Sequence, residues 1–124
     1  MNKKFDPKNE IALAKTIDDL AQILEKLFDR GFDVDEKNQL YAIFVEVDRV
    51  NGLKIEIRPK EHGHEIPHFH VRGDGVDASF AITTGELLAG SIDARKTRLL
   101  RWWYNNSQNK LITMWEQTRP SDLT

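Results

Sequence analysis

The period of the apolar residues changes twice along this chain, and that change limits the folds open to it. Leu13, Ile17, Leu20, Leu24 and Leu27 recur at spacings of 4, 3, 4 and 3. This places them on one stripe of a helix. Asp6 before Pro7, or Thr16 with Asp19 three residues on, would cap its start, and Gly31 would end it. From residue 40 the period falls to two. "LYAIFVEV" (40–47) reads as a largely buried strand after the acidic connector "DVDEKNQ", and "VNGL" carries a hairpin signal. "LKIEIR" (53–58), "PHFHVR" (67–72) and "VDASFAI" (76–82) alternate, with "GDG" between the last two as a turn. "ELLAGS" (86–91) adds a short strand. The helical period then returns in 93–105 behind Asp93 and in 107–118 behind Ser107, up to Pro120.

The expected fold is therefore α+β: an N-terminal helix, a mostly antiparallel sheet of about five strands, and two C-terminal helices. A length of 124 residues fits a single domain over 1–124. Within it, 1–50 form a helical N-terminal extension plus the first strand. Core packing is the preferred use of the leucine stripe. Its heptad spacing also leaves open a monomer or a homodimer through the N-terminal helix.

Cysteine is absent, which excludes a disulfide scaffold and any thiolate zinc site. The N-terminus lacks the apolar core of a signal peptide, and no apolar run approaches the ~20 residues that span a bilayer. No membrane association is expected, and the cytoplasm is the expected location. The net charge of −2 does not suit a dedicated nucleic-acid binder. The charge is uneven, however: 91–119 carry 6 basic and 2 acidic residues.

All four histidines lie in "EHGHEIPHFHVRGDG", at His62, His64, His68 and His70. Residues two apart on a strand share a face, so His68, His70 and Arg72 point the same way. If 53–58 pairs with 67–72, then Lys54, Glu56 and Arg58 join that face. Glu, His and Arg together supply a base, an acid and a cation for developing negative charge, the minimum for cleaving RNA through its 2′-hydroxyl. In this reading His68, His70 and Glu56 are catalytic, and Arg58 and Arg72 hold phosphate. Arg95 and Arg98, on a ridge with Arg101, offer further substrate contacts, although an amphipathic helix with a solvated basic face is the preferred reading of that ridge. The same histidines suit a metal, with His68 and His70 as ligands and His62 or His64 as a third. Imidazoles that only fix a loop against a strand are the simplest alternative. No cofactor is implied.

"GLKIEIRPKEHGHEIPHFHVR", "ASFAITTGELLAGSI" and "LLRWWYNNSQNKLITMWEQTRPSD" resemble the small bacterial proteins grouped as domain of unknown function 4160. The resemblance covers about residues 51–122. His68 and His70 match directly. Ile66 stands where many members carry a second proline, and the "EHGHE" loop is longer. The resemblance implies no established activity. Some members are encoded beside another small protein, which implies a toxin–antitoxin or phage-defence component with a small partner protein. Three functions stay open: action on RNA through the histidine pair, a non-enzymatic regulatory module docking through Leu20 and Leu24, and a histidine-based metal-binding domain.

Overall fold

The computed structural model describes residues 5–43, 52–57, 66–73 and 75–118. The chain is α+β, and both N-terminal capping signals are used because there are two helices there. Helix α1 (Pro7–Leu13) begins at Asp6, whose carboxylate accepts from the Asn9 N–H at 3.3 Å, with Pro7 at the first helical position. Helix α2 (Ile17–Asp29) begins at a capping box. Thr16 Oγ1 accepts from the Asp19 N–H, and Asp19 Oδ2 accepts from the N–H groups of Thr16 and Lys15. Gly31, at φ +70°, lets the chain leave α2.

Strands β1 (Phe32–Val34) and β2 (Leu40–Ala42) form an antiparallel ribbon. The acidic connector is thus partly strand. Its turn is closed by Asp35, whose side chain accepts from the N–H groups of Lys37 and Gln39. The buried strand expected over 40–47 is corrected. Its described part is short, half-buried to exposed, and pairs with β1 outside the main sheet. Residues 44–47 lie outside the described residues. Among the described residues the main sheet has four strands where about five were expected: β3 (Lys54–Ile57), β4 (His68–Gly73), β5 (Val76–Ala81) and β6 (Leu87–Ser91), all antiparallel in that order.

The two C-terminal helices are one, α3 (Ala94–Thr118), of 25 residues. Asp93 caps it, accepting from the Lys96 N–H at 2.8 Å. Ser107, the expected second cap, sits mid-helix with 1% exposure. No glycine or proline interrupts 94–118, and Asn and Ser cost a helix interior only about 0.5 kcal/mol each. The burial of Leu99, Leu100, Trp103 and Leu111 outweighs that cost.

Helices α2 and α3 pack on one face of the main sheet. Leu20, Leu24, Leu27 and Phe28 meet Ile55, Phe69, Val71, Phe80 and Trp103 in one buried cluster. Phe69 stacks on Phe80 at 5.5 Å and meets Trp103 at 5.7 Å. Leu20, Leu24 and Leu27 of the leucine stripe are fully buried in this core, whereas Leu13 at the end of α1 is 68% exposed.

Helix α3 also holds the ends of both preceding helices. Lys110 Nζ donates to the carbonyls of Ala12, in the last turn of α1, and of Ala14, its C-cap. Arg95 donates to Leu27 and Phe28 at the end of α2, and to Phe32 in β1. These are carbonyls that a helix end leaves without intrahelical partners, and a cation there also meets the negative end of the helix dipole.

Candidate functional site

The opposite face of the main sheet is polar, and the strand register fixes its layout. Lys54 pairs with Arg72, and Arg72 with Asp77. Glu56 pairs with His70, and His70 with Ser79. His68 pairs with Ala81. Directly paired residues share a face, so these side chains form three rows across the strands. The expected pairing of 53–58 with 67–72 is present, and it brings Glu56, His68, His70 and Arg72 together.

His68 and His70 each have one nitrogen committed. His68 Nδ1 lies 2.9 Å from the Ile66 carbonyl oxygen. A carbonyl only accepts, so Nδ1 carries the proton, and Nε2 of the neutral ring is the acceptor. His70 Nε2 lies 2.8 Å from Asp77 Oδ1, which leaves its Nδ1 for other use. The His70 side chain is 17% exposed and that of Asp77 is 74% exposed. The hydrogen bond from His70 is the main reason the Asp77 carboxyl is held below its ordinary value, with the Arg72 charge helping.

A depression of about 250 Å³ opens beside this pair, lined by His70, Asp77, Ala78, Ser79, Ala89 and Gly90. Gly90 makes the depression possible. Its φ is +85°, and a Cβ there would run into the Asp77 carbonyl oxygen. Only glycine lets β6 approach β5 so closely.

The other expected site residues fall elsewhere. Arg95 is engaged by backbone carbonyls. Arg98 makes a bidentate pair with Asp33, Nε to Oδ1 at 2.8 Å and Nη2 to Oδ2 at 2.9 Å. Both lie on α3, tied to β1 and the end of α2. Arg58, His62 and His64 lie outside the described residues. Among the described residues, no group of three or more His, Asp or Glu is placed to hold a metal ion. Asp77 and Ser79 had not been singled out from the sequence. Their signal was present: once Val76, Ala78 and Phe80 face the core, Asp77 and Ser79 must face the histidines.

The carboxylates also set the acid limit of the fold. Hydrogen bonds from Arg98 hold the Asp33 carboxyl below its ordinary value, and backbone N–H groups of Lys15 and Thr16 do so for Asp19. Burial pushes the Asp93 carboxyl up, but donation from the Lys96 side chain and backbone outweighs it. A carboxyl lowered in the folded state stabilises it above the unfolded value of about 3.9, and that contribution is lost as pH falls through the folded value. Urea midpoints should therefore be flat from pH 7 to about 5 and fall steeply below about 4. Asp33→Asn should make the fall shallower; an unchanged slope would remove Asp33 from this account.

No helix among the described residues is long and apolar enough to cross a membrane. No curated protein and no solved structure matches the chain. Residues 52–116, which span β3 to most of α3 and so the whole polar face, match the family described as Domain of unknown function (DUF4160), and the chain belongs to that family.

Proposed function

We propose that the polar sheet face is an acid–base site that cleaves RNA. The observation that supports it is the complementary state of the two imidazoles. On one face, two residues apart and so ~6.6 Å along the strand, His68 presents an acceptor nitrogen while His70 is backed by a carboxylate. His68 Nε2 takes the proton of the 2′-hydroxyl as that oxygen attacks the adjacent phosphorus. His70, as an imidazolium balanced by Asp77, gives its Nδ1 proton to the departing 5′-oxygen. The P–O5′ bond breaks, leaving a 2′,3′-cyclic phosphate on one fragment and a 5′-hydroxyl on the other. Glu56, directly across from His70, is the helper base, and Arg72, one row further along the same face, adds positive charge that attracts the RNA backbone.

Purified protein should cut a single-stranded RNA into fragments ending in 2′,3′-cyclic phosphate and leave the same sequence in DNA intact. His68→Ala/His70→Ala should abolish the cut. In a host, a toxin-like or defence component of this kind arrests growth only with both histidines present. Intact RNA after prolonged incubation with the wild-type protein, together with equal growth of cells expressing either form, would sink the reading.

A further inference from the structure

One row along from His70, Lys54 and Arg72 stand directly opposite each other on adjacent strands, both exposed. Like charges in this position repel, and sheets usually avoid them. The carboxylate across from Arg72 is Asp77, but its Oδ1 is taken by His70. Neither Lys54 nor Arg72 makes a hydrogen bond or ion pair with another described residue. At neutral pH the described face thus holds two carboxylates, Glu56 and Asp77, and these two neighbouring cations at its β3–β4 side. A guanidinium and an ammonium side by side make a ready anion clamp.

We propose that Lys54 and Arg72 form a second phosphate subsite, which takes the phosphodiester on the 3′ side of the one that is cut. This rests on the acid–base reading above, and its polarity follows from that reading. His68 works at the 2′-hydroxyl and His70 at the departing 5′-oxygen, so the chain runs 5′ to 3′ from His68 towards His70. The Lys54–Arg72 row lies ~6.6 Å further in the same direction, one nucleotide step along an extended strand. The phosphate it meets belongs to the leaving fragment.

The test uses 2′-O-methyl dinucleotides, which bind but lack the attacking hydroxyl, with a terminal phosphate at either the 3′ or the 5′ end. The 3′-phosphate should tighten binding about tenfold at low salt, and the slope of log K against log salt should steepen by about 0.7 per phosphate engaged. The 5′-phosphate should add nothing comparable. Lys54→Gln/Arg72→Gln should erase the 3′ gain while melting at or above the wild-type temperature, since it removes a repulsive pair. Equal gains at both ends, or a 3′ gain that survives in the double variant, would overturn the subsite. If the 3′ gain appears but the 2′-hydroxyl RNA is never cut, the cleavage reading falls and the phosphate subsite stands. If RNA is cut but no 3′ gain appears, the subsite falls alone.

Discussion

Replacing Trp103 by alanine is expected to destabilise the protein by about 3–5 kcal/mol. Marginal domains have only about 5–15 kcal/mol in total, so much of the fold's stability rests on this residue. Trp103 is fully buried and joins three parts of the molecule. It extends from α3, its ring meets Phe69 of β4 at 5.7 Å, and its Nε1 donates to the Leu20 carbonyl of α2 at 3.0 Å. Alanine would leave a cavity at that junction. Trp103→Phe should cost less, since it keeps much of the ring volume and loses one hydrogen bond, worth about 1 kcal/mol net. Urea unfolding followed by far-UV circular dichroism measures both. A loss below about 1 kcal/mol for the alanine variant would mean that the core closes without Trp103.

The parts of the fold that were legible in the sequence are those set by local chemistry. Asp6–Pro7 and Thr16–Asp19 were both real helix starts, because a cap needs only a few neighbouring residues. The alternation in 53–58, 67–72 and 76–82 gave the correct sheet faces, because side-chain direction on a strand has a period of two. The errors came where tertiary contacts decide between local options. Ser107 looks like a cap, but continuous burial of Leu99, Trp103 and Leu111 carries α3 straight through it. "LYA" has the composition of a core strand, yet its partner is β1. For Arg95 and Arg98 the sequence left a solvated basic face and a phosphate-binding ridge both open, with the first preferred. Sequence does not say that the end of α2 and Asp33 will lie beside them.

The candidate site shows the same division. His68, His70, Arg72 and Glu56 could be placed on one face by counting residues. The contact between His70 and Asp77 could not, because the two are diagonal across the β4–β5 pair. It depends on a side chain leaning along the strand to reach a residue one row away. The Lys54–Arg72 juxtaposition needed the register itself, since a shift of one residue would have turned one of the two towards the core.

Two substitutions at the diagonal contact should separate proton transfer from orientation. His70→Ala is expected to lower kcat/KM on an RNA oligonucleotide by about 10²–10⁴, the usual share of a positioned acid or base. Asp77→Asn keeps the shape and can still accept from Nε2, but it cannot balance an imidazolium. Its loss should be smaller, and it should fall on kcat more than on KM, since Asp77 acts through His70 rather than on substrate. The pH profiles should differ as well. In the wild type, Asp77 stays charged until below its ordinary value of 3.8, so the contact with His70 persists well into acid. The asparagine variant has no carboxylate to protonate, so the fall that the wild type shows as Asp77 protonates in strong acid should be absent from its profile. Because Asp77 is exposed, its melting temperature should stay close to wild type, which keeps this result distinct from damage to the fold. If both variants cleave at the wild-type rate, the His70–Asp77 contact belongs to the architecture of the sheet and acid–base chemistry must be sought elsewhere. If only His70→Ala is impaired, with identical pH profiles for the wild type and Asp77→Asn, then His70 works without its carboxylate and the assignment of Asp77 is withdrawn.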